Sequence, residues 1–556
     1  MKKYSKPNVT DKRHLKCLHG RPHLVNNSKS YFENCFDLPN PSLRSYFGRV
    51  VNGQPDEYRT PFFGKKPLDD ILHGWMSELE EVRDKFPSLY EFEIDLASKV
   101  GPMSIMKPLK DRMKDIDAYY DLITLKSEPI SQSASDAVLQ EWTKAAGLRL
   151  RSQRKTVDLM KKSTSSGSPF FTKRRDVTDY TIPCEADYDP VTGKVSQFLH
   201  NGKCNYFASA ILGWRGQEGG RSASDVKQRV VWMFPYSINV LELQCYQPLI
   251  ESAQRFGLVP AWISMDAVDQ SITKMFDTKG EHDVVICTDF SKFDQHFNIN
   301  MQRCASYLLR NIFTDTDEMS RWLIDVFPIK YNIPLAYDWD TVRFGAHGMG
   351  SGSGGTNADE TLVHRALQHE AAMKAGTSLN PYSQCLGDDG VLTFKNIDVD
   401  KVIESYSSHG QEMNPDKQYV SLHDCVYLRR WHSDSYRING VCVGVYSTCR
   451  ALGRLAEQER YYDPDKWSSK MVALRQLSIL ENCKYHPLRE KFVDYCMKGD
   501  KFRLGLDIPG FLDNIEAEAK KAIDYMPDFL GYTKSLQSND AGIANWWIVK
   551  YLKSKR

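Results

Sequence analysis

The chain is predicted to be a mixed α/β protein on three local patterns. A β-type apolar run, Val284 to Thr288, ends at an acid, Asp289. Two apolar segments, one closing at Leu386 and one running from Val391 to Phe394, flank Gly387-Asp-Asp-Gly390. That is a hairpin pattern, with Asp389-Gly390 as a favoured tight-turn pair. A glycine-rich loop, Gly348 to Gly355, leads into a helical stretch from about Thr356 to Ala375. Strands interleaved with long helices imply a sheet core covered by helices.

In chain order, the first hundred or so residues mix Pro, Asn and charge around one clear helical stretch, Pro67 to Phe86. They are expected to form an irregular extension wrapping something larger. Between Lys144 and Arg175 stand ten basic residues against one acid, Asp158, and Arg215, Arg221, Lys227 and Arg229 follow closely. Such a stretch is either a solvated face or a phosphate-facing channel. A further strand is expected at Cys425 to Leu428, and beyond Thr448 the pattern is helical and charged. The last residues, Asn545 to Arg556, combine aromatic and basic side chains. They suit either a docked terminal helix or a tail reaching into a product cavity.

Composition narrows the classes. An apolar fraction of 41% and a charged fraction of 26% are those of a folded globular protein, and a net charge of +2 neither predicts nor excludes a nucleic-acid partner. The N-terminus lacks an apolar signal core and no run approaches the length of a membrane span, so no secretion signal and no membrane are expected. Thirteen cysteines without a C-x-x-C pair fit reduced thiols and argue against a Cys-rich zinc site. Gly350-Ser-Gly-Ser-Gly-Gly355 satisfies the dinucleotide-binding pattern, but the segment before it, Asp340 to His347, is not a convincing buried strand. The loop also lacks the Gly-Lys-Ser/Thr of a P-loop.

The acids carry the chemistry. Phosphoryl transfer at neutral pH needs a group that activates a hydroxyl and one that absorbs charge on the leaving pyrophosphate. Two Mg²⁺ ions held by aligned carboxylates do both. A carboxylate at a strand end beside two in a neighbouring hairpin turn would supply that site. Asp289 and the pair Asp388-Asp389 occupy those places.

Asp289-Phe-Ser-Lys-Phe-Asp294, Ser351-Gly-Ser-Gly-Gly-Thr356 and Gly387-Asp-Asp389 occur in that order. The series resembles motifs A, B and C of viral RNA-dependent RNA polymerases. Its wording is most similar to the polymerases of picobirnaviruses and, more distantly, of partitiviruses. With flanking matches, the resemblance spans roughly residues 163–432. It implies a right hand with closed fingers, palm and thumb: residues 1–110 as an N-terminal extension bridging fingers and thumb, 111–280 as fingers with a second segment at about 300–345, 281–440 as palm and 441–556 as thumb and tail. It implies RNA-directed RNA synthesis by two-metal nucleotidyl transfer, with Mg²⁺ or Mn²⁺ on Asp289, Asp388 and Asp389.

By the same resemblance, Asp294 would face the ribose of the incoming nucleotide, where a carboxylate accepts from the 2′-hydroxyl. Thr356 would help fix Asp294, and Ser351, Gly352 and Asn357 would line the nucleotide site. Glu360 departs from the pattern, since many relatives carry Asn there, and a second carboxylate would raise the pKa of one of the pair. Ser165-Ser-Gly-Ser-Pro169 resembles motif G, implying template contacts from Ser165, Gly167 and Pro169. Lys227-Gln-Arg229 resembles motif F, whose cations hold the triphosphate, with Arg221 a weaker candidate. Lys417 stands where motif D places a lysine that protonates pyrophosphate, and Tyr427 to Trp431 where motif E grips the product strand. The implied partners are RNA template and product, ribonucleoside triphosphates and a capsid protein, for a monomer replicating a double-stranded RNA genome in the virion interior and host cytoplasm. The rivals are a non-catalytic RNA-binding scaffold and a DNA-synthesising polymerase. All three acids argue against the first, and Asp294 against the second.

Overall fold

Side chains alternate along the strand Val285–Thr288: Val285 and Cys287 enter one core, Ile286 another. A strand buried on both faces belongs at the centre of a sheet. It has a neighbour on each side: the hairpin Gln384–Leu386/Asp389–Leu392 and the strand Tyr419–Ser421, antiparallel throughout. One face is covered by helices Thr356–Lys374, Ile299–Ile312 and Val399–Ser408. The other meets helix Met265–Thr278 and the small sheet Asp424–Tyr427/Arg430–Ser433/Val445–Tyr446.

This computed structural model describes residues 28–522, Tyr525 and residues 542–556. A second sheet orders Lys227–Met233, Ala210–Gln217, Leu335–Asp338 and Thr341–Arg343, with one parallel pairing between the middle two. Tyr31, Phe32 and Phe47, from helices Ser28–Cys35 and Pro41–Asn52, share a core with residues of this sheet.

Helices Leu68–Arg83 and Pro87–Lys99 instead share one core with the C-terminal helices Thr448–Ala456, Ser469–Glu481, Arg489–Lys498, Ile515–Ala522 and Trp547–Lys553. Polar contacts tie the two ends of the chain together. Strand Tyr58–Arg59 pairs with Glu457–Gln458. The Trp75 indole donates to the Thr448 hydroxyl at 2.8 Å. The fully buried Glu93 carboxylate accepts from the hydroxyls of Ser447 and Thr448 and faces His486 Nε2 at 3.1 Å.

One expectation changes, and one alternative is decided for the docked terminal helix. The N-terminal segment is regularly helical beyond Pro67 to Phe86, because Phe32, Leu43, Phe47, Leu89 and Ala97 give its other helices buried apolar faces. The C-terminal residues do not reach into a cavity. Ile548, Val549 and Leu552 are buried in the C-terminal helical core, and the Glu481 carboxylate accepts from the first amides of the helix, Trp547 and Ile548. Among the described residues no helix is long and apolar enough to cross a membrane, and every cysteine is buried.

Candidate active site

Thr288 lies opposite Gly390, so the next step of the antiparallel register sets Asp289 beside Asp389. Gln418 holds the backbone of Asp289 from the other side. Its amide accepts from the Asp289 N–H and donates to the Asp289 carbonyl, each at 2.8 Å. Leu386 pairs with Asp389, so the hairpin turns on Gly387-Asp388 and not on the expected Asp389-Gly390. Gly387 has φ +57°, a left-handed conformation that glycine adopts freely. Its N–H donates to the Thr361 hydroxyl at 2.9 Å, and its carbonyl accepts from His364 Nδ1 at 2.8 Å. Gly390 serves the same anchor, since a Cβ there would lie 2.6 Å from the His364 ring.

Burial pushes all three carboxyls above the usual range, and the Asp388 charge adds to the rise of the other two. Asp389 is pushed up to about 7, first by burial and then by Asp388, against a Leu428 N–H donated to its Oδ2 at 2.9 Å. Asp388 is raised by burial, with Arg229 and Arg429 opposing. Asp289 is raised by burial, with Lys417 opposing and Asp388 adding to the rise. Crowded, poorly solvated negative charge is what a hard divalent cation relieves, and oxygen donors suit Mg²⁺. Yet among the described residues no three His, Cys, Asp or Glu side chains are close enough to hold a metal ion together. The carboxylates sense one another's charge without forming a closed cage.

Glu360 is buried, Asp294 is half-buried, and the two are hydrogen-bonded to each other. Glu360 is held well above the usual range by burial, then by Asp294, and its Oε1 is buried without a partner. Thr356 does not fix Asp294 through its side chain. Its hydroxyl faces the carbonyls of Gly350 and Ser353 at 3.0 and 3.3 Å, within the glycine-rich loop itself. The loop reaches Asp294 through backbone, the Met349 N–H donating to the Asp294 carbonyl at 2.9 Å. Asn357 is exposed and its Oδ1 accepts from the Trp262 indole at 2.8 Å.

The loop glycines are needed for close approach. A Cβ on Gly352 would lie 1.6 Å from the Trp232 carbonyl oxygen, and one on Gly355 would lie 2.3 Å from the Tyr246 ring. Ser351 lies against the same strand, its hydroxyl accepting from the Trp232 N–H at 3.3 Å. Glu242 holds the far side of the loop, accepting from the Ser353 hydroxyl and the Gly354 N–H.

Lys227 and Arg229 occupy alternate positions of their strand, while Gln228 between them bonds Lys107 N and Ile105 O. Lys227 lines a cavity of about 840 Å³ with Asp289, Asp389 and Lys417. Arg229 is exposed, and its charge acts on Asp294 and Asp388.

Two expected ligand groups lie elsewhere. Arg221 is a tie: its guanidinium donates to Asp69 and to the carbonyls of Ala97 and Val100. Gly167 and Pro169 are buried, a Cβ on Gly167 meeting the Phe234 carbonyl at 2.7 Å, so they shape their loop. Only Ser165 of that trio keeps partial exposure, its hydroxyl accepting from the Gly167 N–H.

The motifs missed Gln418, His364 and Lys99. Thr361 and His364 were findable as polar residues that continue the helix face of Asn357 and Glu360. Lys99 reaches the cavity only through tertiary packing and no local signal marks it, while Arg429 lies in the stretch likened to motif E and lines this cavity.

The chain matches the family model described as viral RNA-dependent RNA polymerase over residues 113–442. It is 61% identical over 528 residues to a potential RNA-dependent RNA polymerase of human picobirnavirus (strain Human/Thailand/Hy005102/-), covering 94% of this chain and 98% of that protein. The crystal structure of the RNA-dependent RNA polymerase of a human picobirnavirus is 60% identical, with a TM-score of 0.90 over 95% of this chain and 99% of that one. An insertion-loop deletion mutant of such a polymerase is 58% identical, with a TM-score of 0.89 over 95% and 99% of the two chains.

Proposed function

Since the chain belongs to the viral RNA-dependent RNA polymerase family and carries the right-hand fold of its relatives, we propose that it extends an RNA 3′-hydroxyl with ribonucleoside triphosphates by two-metal nucleotidyl transfer on an RNA template. Asp289, Asp388 and Asp389 would hold Mg²⁺, with Mn²⁺ as a substitute. When bound, such ions activate the attacking hydroxyl and take up charge on the leaving pyrophosphate.

The protein's own groups do the rest. Lys227 and Arg229 bind triphosphate oxygens through charge-assisted bonds. Asp294 and Glu360 meet the ribose, with Asn357 at the edge of the same site. Ser351, Gly352 and Thr356 set the shape of the loop beneath it, and Lys417 hands a proton to the pyrophosphate. Ser165 contacts the template. We assign residues 1–110 to an extension bridging fingers and thumb, 111–280 and about 300–345 to fingers, 281–440 to palm and 441–556 to thumb. The resemblance to picobirnavirus polymerases further supports a monomer, a double-stranded RNA genome, a capsid partner and work inside the virion and host cytoplasm.

The observation supporting this reading is that the strand register sets Asp289 beside Asp389, within reach of the Asp388 charge, with their charge poorly compensated. The test is labelled ribonucleotide incorporation on a short RNA template. A chelator should abolish it and added Mg²⁺ restore it. Asp388→Ala should keep the wild-type Tm and lose activity by at least roughly a hundredfold, since metal positioning contributes several kcal/mol. Incorporation near wild type by that variant refutes the metal assignment.

A further inference from the structure

The cavity beside the carboxylates holds more positive charge than the phosphate-binding strand alone supplies. Lys99, Lys227, Arg429, Arg450 and Lys417 all line it. Some of that charge is answered: Lys99 pairs with Asp95 at 3.0 Å and Arg450 with Glu218 at 3.1 Å. Among the described residues no hydrogen bond or ion pair answers Arg429. Its charged neighbours are of both signs, Arg450, Arg229 and Lys227 against Glu218, Asp388 and Asp389, none of them paired with it. Burial first, then Arg450 and Arg229, hold it down to about 10, and it in turn lowers Lys227.

The backbone fixes where this guanidinium stands. Tyr427 pairs with Arg430, so Leu428 and Arg429 form the centre of a two-residue turn. Both have left-handed φ, +52° and +60°. Such turns favour Asn-Gly, and bulky residues held there mark a constraint other than turn formation. The turn is fastened on both sides. The Leu428 N–H donates to Asp389 Oδ2 at 2.9 Å, and Arg430 makes a buried two-pronged pair with Asp269 at 2.7 and 3.0 Å. Arg429 therefore stands between the carboxylates, whose ionised forms it favours, and the cations of the facing strand.

We propose that Arg429, with Lys227 and Lys99 across the cavity, forms a polyphosphate subsite that takes the triphosphate of the incoming ribonucleotide and the diphosphate that leaves. A planar guanidinium offers two parallel donors to phosphate oxygens, and an unpaired one in a half-buried site is ready for an anion without first breaking an ion pair. The subsite rests on the polymerase reading above. A grip on the product strand, the role the resemblance gives to Tyr427–Trp431, uses the same phosphate chemistry, so the test must separate the two sources.

The full-length wild type, Arg429→Gln and Arg429→Lys are compared in three measurements: inhibition by inorganic pyrophosphate, KM for a ribonucleotide, and affinity for a template–product RNA duplex at two salt concentrations. Arg429→Gln should raise the pyrophosphate inhibition constant and KM about tenfold, the size expected for losing a charge-assisted bond, with duplex affinity within about twofold. Arg429→Lys should fall between, and it carries the comparison if the Gln variant loses Tm. A drop in duplex affinity with pyrophosphate inhibition unchanged overturns the proposal in favour of a strand grip. No change in any of the three overturns it as well. Failure of the polymerase reading itself has a different signature: the wild type would not incorporate ribonucleotides.

Discussion

Asp294 and Glu360 share a hydrogen bond in a buried site, and two carboxyls can do so only if one carries a proton. Burial and the Asp294 charge place that proton on Glu360. A protonated carboxyl has one donor and one acceptor, the pair that a side-chain amide presents. This accounts physically for an acid standing where many relatives carry Asn. Glu360→Gln should therefore keep the contact to Asp294 and most of the preference for ribonucleotides over deoxyribonucleotides. Glu360→Ala leaves Asp294 without its donor and should lower that preference about tenfold, the loss expected from one buried hydrogen bond. The ratio of kcat/KM for a matched ribo- and deoxyribonucleotide reads the effect, and an alanine variant as selective as wild type would refute it.

The glycine-rich loop shows what single elements do and how far they are readable. A methyl on Gly352 would overlap the Trp232 carbonyl, and the strand bearing Lys227 and Arg229 would have to move away. Gly352→Ala should cost roughly 2–4 kcal/mol of stability, in the range of severe overpacking, and lose activity in step. Thermal unfolding checks the first part, and an unchanged Tm would show that the loop has slack. The strand ending at Asp289, the helix opening at Thr356 and the carboxylate hairpin were all legible, because periodicity and turn chemistry are local. The centre of the hairpin turn was misplaced by two residues, since Gly390 is glycine to seat His364 and not to make the turn. Lys99 was invisible, and Arg429, inside the stretch likened to motif E, was read only toward the product strand, for another reason. Their importance comes from a cavity assembled from segments hundreds of positions apart.

At the scale of the molecule, the N-terminal helices and the C-terminal helices form one core, closed by the pairing of Tyr58–Arg59 with Glu457–Gln458. Glu457 is buried, with the Glu57 carboxyl against its own. Burial, then Glu57 beside it, pushes it up to about 9, although Arg59 lies 3.7 Å away. A carboxyl with a raised folded pKa binds its proton more tightly when folded. Its contribution is then fully present below the unfolded value near 4.3 and is lost as pH rises towards about 9. Glu457→Gln should remove that dependence. At pH 8 the variant should gain roughly 1–3 kcal/mol, read as a higher Tm, and at pH 5 the gain should shrink towards nothing. A Tm difference independent of pH would assign the effect to packing.

The bond from Trp75 to Thr448 joins residues 373 positions apart. During synthesis the helix Leu68–Arg83 leaves the ribosome with only the next helix, Pro87–Lys99, to pack against, while the C-terminal helices that cover Trp75 are still to be made. A nascent chain thus carries a sticky apolar stripe until those helices arrive.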